Sequence, residues 1–143
     1  MEIVDFAPGD ARLADEVFPV LQELRPHLTV TDFGDVYREG HAQGLRYTAV
    51  YDGGRCVAVA GWRLVANTAT RRKLYIDDLV TTAELRSRGA GRVLIAELRR
   101  RAEAGGCAVL DLDSNVQRAD AHRFYMREGL TIVAFHFGVA LTT

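Results

Sequence analysis

Residues 74–94 read LYIDDLVTTAELRSRGAGRVL and carry the densest chemistry in the chain. Arg86-Ser87-Arg88-Gly89-Ala90-Gly91-Arg92 interleaves arginines with glycines where an apolar strand pattern gives way to a helical one. Glycines let backbone N–H groups approach a ligand without side-chain obstruction. A helix N-terminus adds unspent N–H donors and partial positive charge, so the stretch suits a pyrophosphate. Three phosphate-loop patterns compete for it. A G-x-x-x-x-G-K-[ST] loop needs a lysine that is missing, since the only lysine is Lys73. A G-x-G-x-x-G fingerprint fails because Gly89-x-Gly91 is followed by Leu94. The pattern [R/Q]-x-x-G-x-[G/A] is met in full by Arg86, Gly89 and Gly91.

Asp77 and Asp78 stand just upstream as adjacent carboxylates inside an apolar strand. A central strand should bury at least one of them, and burial raises a carboxyl pKa toward a value useful for deprotonating an ammonium group. The two should point to opposite faces. Pairing with Arg72, or capping a bulge, is an equally good use of either. His27, His41, His122 and His136 lack metal-ligand spacing, and Cys56 and Cys107 form no metal set, so no metal site is expected. His122 reads as a surface residue and Cys107 as a small buried one.

These residues need elements to position them. Glu2 to Phe6 reads as a strand, and Ala11 to Leu24 as an amphipathic helix after Pro8-Gly9-Asp10. A second helix, capped by Thr31 or Asp32, runs to about Ala42. Tyr47 to Tyr51 and Cys56 to Val65 form a hairpin about Asp52-Gly53-Gly54, and Arg72 to Thr81 extends the meander. Glu84 to Gly105 is a long helix, Ala108 to Leu112 a short strand, and Arg118 to Glu128 a helix. Thr131 to Leu141 is expected to supply one or two closing strands. The strand–helix–strand unit implies a parallel pair with a right-handed crossover. The fold class is α/β, with a mixed, mostly antiparallel sheet, one parallel pair and flanking helices.

The chain has 143 residues and a formal net charge of −1, which predicts one domain, 1–143, and argues against a coat for nucleic acid. The longest uncharged run, residues 129–143, is too short for a membrane span. No secretory signal is visible after Met1, and two cysteines make no disulfide framework, so a cytoplasmic location is expected. Basic residues concentrate from Arg86 to Arg101. Arg99 to Arg101 read as a solvated helix face, and Arg86 to Arg92 as an anion site.

Ala121-His122-Arg123-Phe124-Tyr125-Met126-Arg127-Glu128-Gly129-Leu130 completes the pattern. With the Arg86-x-x-Gly89-x-Gly91 motif and the element order, the A-x-x-F-Y-x-x-x-G-L signature resembles the GNAT superfamily of acetyl-CoA-dependent N-acetyltransferases over nearly the whole chain. The resemblance implies an acetyl-CoA site where the strands ending at Thr81 and Leu112 splay apart. It sets the backbone of Leu79, Val80 and Thr81 along the pantetheine and acetyl group, and the N–H groups of Ser87 to Arg92 around the pyrophosphate. It puts Tyr125 in the general-acid position. A phenol is protonated at neutral pH and can protonate a departing thiolate.

Arg118 is a departure, because many relatives carry an asparagine seven residues before the tyrosine. Asn115 could take over that cofactor contact, Arg118 could read a phosphate or an acidic acceptor, or either could simply shape the strand-to-helix turn. An aspartate at 77 or 78, where the family often has glutamate, leaves a shorter reach for a base. The implied activity is acetyl transfer from acetyl-CoA to a primary amine of a small molecule or peptide. The alternatives are a non-catalytic acyl-CoA-binding sensor module and a nucleotide-binding protein using the 86–91 loop. The acidic residues Asp32, Asp35 and Glu39 would suit a cationic acceptor, and the uncharged C-terminal strand could pair across a homodimer.

Overall fold

The computed structural model describes residues 1–142, and of residues 85–87 it describes the backbone alone. The chain forms two compact units, Met1–Leu112 and Asp113–Thr143. In the first, strand β1 (Glu2–Phe6) is followed by a π turn at Leu13–Val17 and helices α1 (Phe18–Leu24) and α2 (Val30–Ala42). Strands β2 (Arg46–Asp52), β3 (Arg55–Asn67) and β4 (Arg71–Thr81) come next. A 3-10 turn at Ala83–Arg88 leads into helix α3 (Ala90–Ala104) and strand β5 (Val109–Leu112). The sheet order is β1-β2-β3-β4-β5, with the first four strands antiparallel and β4–β5 parallel.

The core follows from side-chain period. Val17, Leu21, Phe33, Tyr37, Tyr47 and Val59 form one cluster that seats α1 and α2 on the sheet. Leu94, Ile95, Leu98 and Ala102 are the buried stripe of α3, which packs on β3 and β4. Leu94, Ile95 and Leu98 each contribute about 1.5–3 kcal/mol of burial. Tyr37 Oη donates to the Phe6 carbonyl at 2.7 Å and accepts from Tyr47 N at 3.2 Å, so its polar end is satisfied inside the cluster.

Some expectations change. Helix α2 is capped by Thr29, whose hydroxyl accepts from Asp32 N at 3.1 Å, rather than by Thr31 or Asp32. Arg101 is no solvated residue. Its guanidinium pairs with Asp5 at 2.7 Å and Glu97 at 3.1 Å and lies 5.6 Å from the Trp62 ring centroid. Cys107 is half-buried, while Cys56 is buried with its thiol pushed up to about 12 by desolvation.

The second unit holds helix α4 (Ala119–Arg127). The closing strands expected at Thr131 to Leu141 are not formed: residues 130–140 carry no strand pairing, and Ile132, Phe135, Phe137 and Leu141 are exposed. Alternating apolar residues supply a face for a strand, but a strand also needs a partner edge for its N–H and C=O groups.

Candidate active site

Strand β4 changes character at Asp77. Its parallel pairing with β5 ends at Ile76↔Leu112. Pairing with β3 continues to Thr81, opposite Ala58. Residues 77–81 therefore have no strand partner on the β5 side among the described residues. The register with β3 also shifts here, because Gly61 faces Asp78 while Trp62 faces Ile76, leaving Asp77 as an extra residue. An extra residue bends a strand and increases its twist. The bend falls on the residue where β5 is left behind.

Five side chains gather at this bulge. Arg63 donates two parallel bonds to the Asp77 carboxylate, at 3.0 and 3.1 Å. Arg25, the residue after α1, donates to Asp78 Oδ1 from Nε at 2.9 Å and from Nη2 at 2.8 Å, and from Nη2 to the Asp77 carbonyl at 3.2 Å. Tyr47 Oη donates to Asp78 Oδ2 at 2.9 Å. Burial first, and Asp78 second, push the Tyr47 phenol far above its ordinary range, so it stays a donor. Gly61 makes room for the cluster: a Cβ there would sit 2.8 Å from Tyr47 Cε1 and 2.9 Å from Asp78 Oδ2. Both carboxylates are thus held by arginines, but by Arg63 and Arg25 rather than Arg72. Arg72 instead donates to the Gly105 carbonyl at 2.8 Å.

Beyond Thr81 the chain enters the glycine–arginine loop. Thr82 N donates to the Val57 carbonyl at 2.9 Å, and Ala83 N to Glu23 Oε1 at 2.9 Å. The Thr82 hydroxyl is buried without a described partner. Gly89 stands at the N-cap of α3 with φ +86°, a left-handed conformation that glycine adopts without strain. It has nothing within 4 Å of where a Cβ would lie, and as a glycine it brings no capping side chain of its own. The first helical bond runs from Val93 N to the Gly89 carbonyl, so the N–H groups of Ala90, Gly91 and Arg92 precede the helical ladder. Arg88 and Gly89 are exposed, and Ala90 and Gly91 buried. The side chains of Arg86 and Ser87 lie outside the described residues. Leu79 and Val80 are buried and Thr81 half-buried on the open stretch of β4.

In the second unit, Tyr125 is the buried residue of α4, and Phe124 stands edge-on to its ring at 5.7 Å. Burial raises the Tyr125 phenol above its ordinary value, while a hydrogen bond and charge from Arg118 pull the other way. Arg118 is thus a neighbour of the phenol. Asn115 is tied into the same loop. Its carbonyl accepts from Arg118 N at 3.1 Å and lies 2.9 Å from His122 Nε2, which also lies 3.1 Å from Ser114 Oγ. His122 is therefore a fastener of the loop before α4. Among the described residues, no group of three or more His, Cys, Asp or Glu could hold a metal ion. No described helix is long and apolar enough to cross a membrane.

Sequence reasoning missed Arg25, Arg63 and Tyr47. They reach the bulge from other elements, and a pairing such as Arg25–Asp78 leaves no mark in local spacing.

A parallel pair that parts at a bulge, followed by a glycine-capped helix, defines a fold class that comparison with known proteins identifies. The acetyltransferase (GNAT) family profile matches residues 11–130, and the chain belongs to that family as a GNAT-type N-acetyltransferase. Among individual relatives, the uncharacterized N-acetyltransferase YhdJ of Bacillus subtilis (strain 168) is 34% identical over 125 residues, covering 85% of this chain and 87% of YhdJ. A solved structure from Agrobacterium tumefaciens str. C58, assigned as an acetyltransferase, superposes with a TM-score of 0.82 at 26% identity, covering 98% of this chain and 99% of that one. The aminoglycoside N-acetyltransferase AAC(6′)-Iy, solved in complex with CoA, has the same fold, with a TM-score of 0.83 at 14% identity and coverage of 97% and 93%.

Proposed function

We propose that residues 1–143 act as a single domain that transfers an acetyl group from acetyl-CoA to the primary amine of a small molecule or peptide. The observation that carries this reading is the open stretch of β4 from Asp77 to Thr81 leading through the 3-10 turn to the glycine-capped start of α3. An extended edge offers alternating N–H and C=O groups to an amide-containing chain, and a helix start offers N–H groups to a pyrophosphate. A pantetheine diphosphate has those two chemistries in that order. The residues present fit it: Leu79, Val80 and Thr81 would hold the pantetheine arm. Arg86, Ser87, Arg88, Gly89, Ala90, Gly91 and Arg92 would hold the diphosphate, with Asn115 and Arg118 as further cofactor contacts.

When bound, acetyl-CoA supplies a thioester whose acyl carbon accepts a nitrogen nucleophile. Asp77, a quarter exposed, takes the proton that an ammonium acceptor must lose. Asp78, enclosed by Arg25 and Tyr47, holds the strand. Tyr125 gives its phenolic proton to the sulfur as the C–N bond forms and the C–S bond breaks. Burial keeps that phenol protonated at neutral pH, and the Arg118 guanidinium stabilises the phenolate until the surplus proton of the new amide nitrogen returns to it. The acceptor approaches past α1 and α2. Asp35 is already paired with Arg38, which leaves Asp32 and Glu39 as the acidic residues of that region offered to a cation.

The test is amine-dependent release of CoA thiol across a panel of amines, with the acetylated product identified by mass. Stoichiometric release and amide formation with at least one primary amine is the expected result. Tight acetyl-CoA binding with no amine-dependent release across the panel would contradict the proposal and leave an acyl-CoA-binding module. A location in the cytoplasm and a homodimer built through the C-terminal segment are part of the same proposal, testable by fractionation and by light scattering.

A further inference from the structure

We infer that Arg25 is a positioning residue for the cofactor edge: its guanidinium latches the β4 bulge and so keeps residues 77–81 turned away from β5. The inference rests on the reading above that this edge takes acetyl-CoA.

A bulge leaves the extra residue's peptide groups outside the regular ladder. Here the extra residue is Asp77, and its carbonyl accepts from Arg25 Nη2 at 3.2 Å. The same guanidinium grips the next residue's carboxylate at 2.8 and 2.9 Å. One side chain thus satisfies the displaced carbonyl and fixes the following residue. The far carboxylate oxygen of Asp78 is fixed by Tyr47, and Tyr47 is wedged between the rings of Phe33 at 5.1 Å and Tyr37 at 4.9 Å. Gly61 is the residue whose lack of a side chain admits the cluster.

The anchor at the other end is also firm. Arg25 N donates to the Leu21 carbonyl at 3.0 Å, and the Arg25 carbonyl accepts from Leu28 N at 3.0 Å, so its backbone is set by the end of α1 and the turn after it. The latch therefore spans from α1 to the strand stretch where acyl transfer is proposed. Lysine cannot replace it, since one ammonium lacks the planar fork that meets the carbonyl and the carboxylate together. An arginine with a merely structural role gives the control. Arg101 makes an equally branched set of ion pairs with Asp5 and Glu97, and meets the Trp62 ring rather than either carboxylate of the bulge.

The experiment compares Arg25→Met, Arg25→Lys and Arg101→Met by thermal unfolding, by calorimetry with acetyl-CoA, and by amide hydrogen exchange at residues 77–81. The latch predicts that Arg25→Met weakens acetyl-CoA binding by tenfold or more and speeds exchange at 77–81. Arg25→Lys recovers stability but not affinity. Arg101→Met loses stability while keeping the wild-type Kd and wild-type exchange at 77–81. Unchanged exchange at 77–81 in Arg25→Met, or equal losses of affinity in Arg25→Met and Arg101→Met, would overturn the inference. If exchange quickens but affinity holds in Arg25→Met and also in Gly89→Ala, the latch stands and the assignment of the edge to acetyl-CoA falls.

Discussion

Replacing Gly89 by alanine isolates the phosphate-binding role proposed for the α3 N-terminus. The backbone there has φ +86°, and no atom lies within 4 Å of the position a Cβ would take. The substitution therefore meets no clash in the protein, and its cost is backbone strain of about 1–2 kcal/mol. For a chain of this size that lowers Tm by roughly 4–8 °C if the backbone keeps its conformation. If residues 89–92 relax instead, the melting temperature moves less, but the three leading N–H groups lose their common aim. On either course the new methyl occupies the space a diphosphate would approach, so acetyl-CoA affinity should fall at least tenfold, about 1.4 kcal/mol. Gly89→Asn is the companion variant, because asparagine tolerates the left-handed region better than other non-glycine residues. It should melt closer to wild type and still bind weakly. Calorimetry with acetyl-CoA, alongside a melting curve for each variant, is the assay. A folded Gly89→Ala protein with Kd within twofold of wild type would refute the reasoning.

Other outcomes follow from the same geometry. Asp77→Asn should lower kcat/KM by roughly 10²-fold with little effect on acetyl-CoA affinity, whereas Asp78→Asn should mainly lower Tm, since it weakens the pairing with Arg25; wild-type kcat/KM in both would exclude either as the base. Glu97, held down to about 2 chiefly by Arg100 and also by Arg101, contributes stability that is present above its ordinary value of 4.5 and lost as pH falls toward 2. Glu97→Gln should therefore cost about 0.5–1 kcal/mol in denaturant titrations at neutral pH, and the difference should close by pH 2. Arg118→Met should raise the Tyr125 phenol further above its ordinary value of 10, moving the loss of activity on the basic side to higher pH. Tyrosine absorbance titration, differenced against Tyr125→Phe, reads that shift directly, and Asp113, His122, Arg127, Glu128, His136 and the Asp120–Arg123 pair are other charged or titratable groups of that unit to hold constant.

Most of the fold was legible because its elements announce themselves locally. The apolar stripe Leu94, Ile95, Leu98 and Ala102 can only be buried as a helix, and α3 buries those residues. The strands about Asp52-Gly53-Gly54 alternate and turn as a hairpin must, and β2 and β3 pair around that turn. The parallel crossover from β4 to β5 follows from the helix between them. What stayed hidden depends on distance in sequence. Arg25 lies 53 residues from Asp78, and neither residue's neighbours hint at the other. The bulge at Asp77 is a matter of register between strands, which a single strand's pattern does not record. Arg101 looks like one of three solvated arginines until Asp5, 96 residues away, is placed beside it. The segment after Leu130 fails for the opposite reason: its local pattern is strand-like, but a pattern cannot provide the edge it must pair with.

Single-turnover kinetics of wild-type and Tyr125→Phe enzyme, with acetyl-CoA and an acceptor amine from the panel, tests the proposed chemistry most directly. The substitution keeps the ring and its packing beside Phe124 and removes the hydroxyl that Arg118 meets. General-acid assistance at sulfur predicts a rate of acetyl transfer lower by roughly 10²-fold, with Kd for acetyl-CoA changed less than severalfold. A Tyr125→Phe enzyme that transfers acetyl at the wild-type rate, under conditions where chemistry limits the turnover, would contradict the account and remove Tyr125 from the mechanism.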